Sequence, residues 1–259
     1  MTSDQLKEIV RWFHDYTADF LKDTRILLSV RLKIKHVERV VIEMEALTRA
    51  LGLEDDDRRI ALAVAQLHDM GRFPQVRFYY SMNDCTTVDH AELGLKVIRE
   101  FKVLSRLEEQ ERRLIETAIL NHNRLTIEEG LDSRALMYCR LIRDADKIDI
   151  WRLILEADLS GSEGEMSAVF LGLPDLPTWT PKLLADIREG RLARLEDVHT
   201  RNDFRLLAMA WVYDLHLNAS YRAVYERKFL EGFAARLPDS PEIRSTVRIL
   251  ISHVRHRAG

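Results

Sequence analysis

Nine histidines are spread along the 259-residue chain, and four of them sit where a metal site would need them. His36 opens the first long helical stretch. His68 and Asp69 are adjacent at the end of the next, His90 follows Asp89 at the start of a third, and His122 closes a fourth. Asp144, Asp146 and Asp149 fall along a fifth. Groups at the ends of several helices can converge inside a bundle and hold metal ions. Neutral imidazoles mixed with carboxylates suit borderline divalent ions such as Mn, Fe, Co, Ni or Zn. One carboxylate can bridge two ions about 3.5–4 Å apart, and Asp69, in the middle of the set, is the candidate bridge. A water held between two such ions loses a proton near neutral pH and becomes a nucleophile, while the ions neutralise phosphate oxygens. A single histidine is more often a hydrogen-bonded core residue. His14, His199, His216, His253 and His256 keep that reading.

The elements that must position these groups are helical. Val37, Val40, Val41, Met44, Leu47 and Leu51 form one apolar face that ends at Gly52. Ile60, Ala63, Val64 and Leu67 form a second, stopped by Gly71 and Pro74. Further stripes run through Leu93, Val97, Ile98 and Phe101, through Leu114, Ile115, Ala118 and Ile119, and through Leu141, Ala145, Ile148 and Trp151. No run alternates strictly, so the expected class is all-α with little or no sheet. The Gly, Ser and Pro of residues 160–181 make the clearest break. Beyond it, Asp203 to about Leu230 reads as one long helix with an apolar face through Leu207, Trp211, Leu215 and Leu217, and Gly232 as its stop. The simplest partition is a metal-binding helical core, 1–159, and a helical C-terminal extension, 160–259, packed on it.

Composition narrows the function classes. Apolar residues make up 46% of the chain and charged residues 31%, the balance of a globular protein rather than a disordered one. No stretch of about 18 apolar residues is free of charges, so no transmembrane helix is expected. The N-terminus is amphipathic and acid-containing, unlike a signal peptide. Two cysteines, Cys85 and Cys139, are too few for a disulfide framework, and a cytoplasmic setting is expected. A net charge of −3 favours neither nucleic acid nor membrane.

The order His36, His68-Asp69, Asp146 resembles the HD superfamily of metal-dependent phosphohydrolases. LAVAQLHDMGRFPQ (62–75) is similar to its central motif, in which Gly and a basic residue follow the His-Asp pair, and ADKI (145–148) to its closing element. The resemblance covers about Lys35 to Trp151 and implies the family's fold, an HD-domain helical bundle. DHAELG (89–94) is similar to an element of HD-GYP-like phosphodiesterases whose histidine binds a second metal. LNHN (120–123) resembles the next element, with His122 in the first of two histidine positions and Asn123 in the second. The Gly-Tyr-Pro signature is absent, which argues against a cyclic-dinucleotide substrate. The match implies one site of His36, His68, Asp69 and Asp146 and a second of Asp69, His90 and His122. Helical spacing puts Asp144 and Asp146 about 200° apart and does not choose between them; the motif favours Asp146.

Arg72, directly after Gly71, is a candidate for a substrate phosphate oxygen, with a surface salt bridge as the plainer reading. Lys147 and Arg39 are weaker candidates of the same kind. Phe73, Phe78, Tyr79 and Tyr80 are candidates for a base or sugar pocket, though aromatics near a helix end are more often core. The resulting expectation is hydrolysis of a phosphate ester, of a nucleotide or another small phosphorylated metabolite, by metal-activated hydroxide. A one-metal nucleotidase, a nucleotide-binding regulatory domain without turnover, and nucleic-acid processing are the alternatives, the last disfavoured by charge. Trp211, Tyr213, Tyr221 and Tyr225 are placed to close the pocket or to form a homodimer.

Overall fold

Capping chemistry sets several helix starts. In the computed structural model, which describes every residue from Met1 to Gly259, Thr2 accepts a hydrogen bond from the Gln5 backbone N–H and opens α1 (Ser3–Phe20). Ile9, Phe13 and Phe20 of α1 are buried. Next come α2 (Leu27–Ala50) and α3 (Asp55–Leu67). Three aspartates, Asp55, Asp56 and Asp57, fill the first turn of α3, where the helix dipole favours negative charge. After a sharp corner α4 spans Arg72–Tyr79. Asp89 accepts from the Ala91 and Glu92 N–H groups to start α5 (His90–Glu100). Then follow α6 (Glu109–His122) and α7 (Ser133–Ser160). The chain is all-α and contains no strand. No helix is long and apolar enough to cross a membrane.

Two compact units are formed, Met1–Asp146 and Lys147–Gly259. The division falls inside α7, upstream of the Gly/Ser/Pro-rich stretch at 160–181. That stretch is itself partly helical, because Ser162 caps α8 (Glu163–Val169). In the second unit, α9 (Pro181–Arg188), α10 (Arg201–Ala210), α11 (Asn218–Glu226), α12 (Phe229–Ala234) and α13 (Pro241–Ala258) complete the chain.

Four local expectations change. His36 lies inside α2 rather than at its start, because Ile26 and Val30 extend the apolar face back by about three turns and are buried with Val37. Pro74 does not end a helix; it occupies the first turn of α4, where a missing N–H costs no helical bond. The stretch from Asp203 to Leu230 is not one helix. Trp211–Asp214 tightens into a 3₁₀ turn, and Leu215 and Leu217 take extended backbone. The Tyr221 hydroxyl donates to the Leu215 carbonyl at 3.0 Å, supplying it with a partner outside any helix. Gly232 is no stop: it lies within α12, where an added Cβ would come within 2.9 Å of Leu155 Cδ1.

One contact in the first unit bears directly on the histidines. Gly71, at the α3–α4 corner, lies against the first turn of α5. A Cβ there would stand 2.0 Å from the His90 carbonyl oxygen and 2.6 Å from the Gly94 nitrogen. Both obstacles are backbone, so no rotamer change relieves the clash. Gly71→Ala should therefore part the corner from α5 and destabilise the protein by about 3 kcal/mol, the upper range of overpacking penalties. Chemical denaturation of the two proteins measures this; equal midpoints would show that the corner is not held so closely.

Candidate metal centre

The ends of α3, α5 and α6 and the faces of α2 and α7 bring the site together within the first unit. His68 is the C-cap of α3 and Asp69 follows it into the corner. His90 is the first residue of α5, His122 the last of α6, His36 lies on α2 and Asp146 on α7. All but Asp146 are buried.

Asp69 is the centre of the arrangement. Its Oδ2 faces His36 Nε2 and His68 Nε2, both at 3.4 Å. Its Oδ1 faces His90 Nε2 at 3.3 Å and His122 Nε2 at 3.9 Å. Asp146 Oδ1 closes the first side, 3.0 Å from His36 Nε2 and 3.7 Å from His68 Nε2. Two overlapping triads, His36–His68–Asp146 and His68–Asp69–His122, hold their ligand atoms within 4.8 Å of one another. His90 stands outside both triads, yet its Nε2 is 2.8 Å from His122 Nε2. Asp146, not Asp144, contributes to these groups; Asp149 belongs to the second unit, with Arg152 at 3.7 Å.

The outer nitrogens explain why the inner ones point inward. His68 Nδ1 lies 2.8 Å from the Ala65 carbonyl and His122 Nδ1 2.6 Å from the Ile119 carbonyl. His90 Nδ1 lies 2.5 Å from Asp84 Oδ2. A carbonyl or carboxylate only accepts, so each Nδ1 carries the proton in the neutral ring and each Nε2 turns a lone pair to the centre. His90 and His122 then oppose two lone pairs at 2.8 Å, an arrangement that a cation between them would stabilise. The buried Nε2 of His68 and Oδ1 of Asp146 make no hydrogen bond within the protein. Such donors, mixed imidazole and carboxylate, fit divalent ions.

Electrostatics agree with a site prepared for cations. Burial alone would raise the Asp69 carboxyl, but Lys33 and His68 beside it hold it well below the usual range. Asp146 is likewise held low against burial, by His36 and His68. For His122, burial and then the charges of His90 and His68 push the pKa down to about 3, leaving the ring neutral. At His68 burial pulls the other way, but Asp69 and Asp146 outweigh it and the pKa rises to about 9.

The remaining predicted groups are placed as follows. Arg72 Nε stands 3.6 Å from Asp69 Oδ1. Its Nη1 donates to Asp84 Oδ1 at 2.6 Å, to Gln75 Oε1 at 2.9 Å and to the Met82 carbonyl. Arg39 is buried on α2. Lys147 lies in the second unit, 2.7 Å from Asp214 Oδ2. Phe73 is core, its ring against Phe13 and Phe20, whereas Phe78, Tyr79 and Tyr80 are exposed.

Sequence reasoning missed Lys33 and Asp84. Lys33 Nζ is 2.7 Å from Asp69 Oδ2, and its spacing of three from His36 was a readable sign of a shared helix face. Asp84 orients His90 from a single 3₁₀ turn, Asp84–Thr86, too short for periodicity to mark it. Asn123, at the position of the absent histidine, donates to Asp84 Oδ2 at 3.4 Å and Asp89 Oδ1 at 3.2 Å.

Two measurements follow. The metal-free protein keeps His68 protonated below about pH 9, and a ligating imidazole must be neutral. Metal binding at neutral pH should release a proton, with affinity rising as pH rises and levelling above about 9. Calorimetry in buffers of different ionisation heat reads the proton count, and a count of zero would contradict the assignment. Asp84→Ala removes the acceptor behind His90 and should weaken ion binding on the Oδ1 side by about 10–100-fold. Unchanged manganese titrations would exclude that supporting role.

Comparison with known proteins places this centre. Residues 34–151 match the family model of the HD domain. No curated protein and no solved structure matches the chain. HD domains bind divalent metals and are mostly metal-dependent phosphohydrolases. The matched segment contains His36, His68, Asp69, His90, His122 and Asp146, and residues 34–151 are thus similar to an HD domain.

Proposed function

We propose that the first unit hydrolyses a phosphate ester of a small metabolite, a nucleotide among the candidates, at a centre for two divalent ions. The observation that carries this reading is the division of Asp69, one oxygen toward His36 and His68 and the other toward His90 and His122. Such a carboxylate suits a bridge between ions. His36, His68, Asp69 and Asp146 would hold one ion, and Asp69, His90 and His122 the other. Bound there, the ions would activate water as nucleophile and neutralise the phosphate oxygens.

The chain's own residues would do the positioning. The Ala65 and Ile119 carbonyls fix the rings of His68 and His122, and Asp84 fixes that of His90. Arg72 holds Asp84 and stands beside Asp69, so its first role is to orient the His90 side. Its contact with phosphate would use the remaining face of the guanidinium. Lys147 next to Asp146 has Asp214 as its partner, which makes it the weaker phosphate contact.

Metal content by plasma mass spectrometry, with turnover on phosphomonoester and phosphodiester panels, tests the reading. Wild type should carry about two ions per chain and Asp69→Ala almost none, with a loss in kcat/KM on the order of 10³-fold or more. One ion per chain, unaltered by His90→Ala, would favour the one-metal enzyme. Full loading with no turnover on either panel would favour a regulatory domain. No bound metal after reconstitution would remove the hydrolase reading altogether.

A further inference from the structure

The closest charged neighbour of the Asp69 carboxylate is not an imidazole. Lys33 Nζ stands 2.7 Å from Oδ2, against 3.4 Å for the Nε2 atoms of His36 and His68. An ammonium has three donors and no acceptor, so it cannot ligate a metal. Lysine and a divalent ion therefore compete for the same oxygen. The two cations beside Asp69 are unlike in this respect. Arg72 is pinned through Nη1 by Asp84, Gln75 and the Met82 carbonyl. Lys33 reaches Asp69 on a flexible four-carbon stem. Its side chain is 16% exposed while that of Asp69 is 3% exposed, so the lysine lies at the solvent side of the carboxylate.

Charge explains what the lysine does there. A buried carboxylate left without a counter-charge costs several kcal/mol. Asp69 and Asp146 bring two negative charges to the His36 side, and one divalent ion cancels both. An ammonium displaced beside that ion is surplus positive charge, and an anion is needed to balance it.

We propose that Lys33 is a tethered placeholder cation. It holds Asp69 in place in the metal-free protein, yields Oδ2 to an entering divalent ion, and then offers its ammonium to an oxygen of the substrate's phosphate. The last step rests on the phosphohydrolase reading; the exchange with metal does not. A site open only part of the time binds with its intrinsic affinity scaled by the open fraction. Were the lysine seated in about nine molecules of ten, removing it would tighten metal binding by about tenfold.

Calorimetric titration of the full chain tests this, first with Mn²⁺ alone and then with inorganic phosphate added to the manganese-loaded protein. Lys33→Gln should bind Mn²⁺ about tenfold more tightly than wild type, melt at lower temperature when metal-free, and bind phosphate at least about fivefold more weakly. Lys33→Arg should restore phosphate binding. Lys33→Met keeps the packing of the stem and repeats the manganese measurement should the glutamine variant fold poorly. Normal manganese binding by wild type, with equal or weaker binding by both Lys33→Gln and Lys33→Met, would overturn this proposal while sparing the hydrolase reading. Unchanged phosphate binding would overturn the anion step. No manganese binding by any of the proteins would overturn both proposals together.

Discussion

A buried, ionised aspartate is expensive, and the first unit is organised around making one affordable. Asp69 sits at a helix corner with its two oxygens turned to different partners, His36, His68 and Lys33 on one side, His90, His122 and Arg72 on the other. Removing water from a carboxylate costs several kcal/mol unless charge and hydrogen bonds replace it. Five helices supply that replacement, which is why the positions of α2, α3, α4, α5 and α6 are all tied to one side chain. The imidazoles are in turn fixed from behind by acceptors, the Ala65 and Ile119 carbonyls and Asp84. Orientation of the donor atoms is thus settled by the fold before any ion arrives, and an ion would meet donors that need little reordering.

The second unit handles burial of charge differently. Arg205 pairs with Asp158 through two hydrogen bonds. Asp203 accepts from the Thr180, His199 and Thr200 backbone N–H groups. Asn202 and Arg201 donate to the carbonyls of Leu176 and Leu173. These groups bind backbone that has no helix to satisfy it, so the segment around 170–180 is ordered by side chains of α10. Around α10 these polar groups are matched to one another, although Ser220 Oγ and His253 Nε2 elsewhere in the unit are buried without a hydrogen bond. In the first unit the unmatched buried atoms include His68 Nε2 and Asp146 Oδ1, both at the centre itself.

Much of the centre was legible because metal-ligand chemistry draws on few residue types and helix ends are marked by glycine, proline and capping aspartates. His68-Asp69 before Gly71 and His90 after Asp89 are such cases. Asp146 over Asp144 needed the motif, since both border apolar positions and helical angle alone is silent. Less legible were effects set by partners distant in sequence. Asp84 finds His90 from a three-residue 3₁₀ turn. Leu215 and Leu217 carry a helical apolar spacing, yet both take extended backbone. Phe73 takes the core role that aromatics near a helix end more often have, but its neighbours Phe13 and Phe20 come from α1, which no spacing announces. Periodicity reports which face is buried, not what buries it.

The contact of Gly71 with α5 sets a spacing by main chain alone. The Gly71 backbone meets the backbone of His90 and Gly94 with no side chain interposed, so the separation between the corner bearing Asp69 and the helix bearing His90 has no rotamers through which to vary. Side chains elsewhere on α5 can then change in size, and with them the surroundings of the centre, while the gauge between its two halves stays that of two polypeptide backbones in contact.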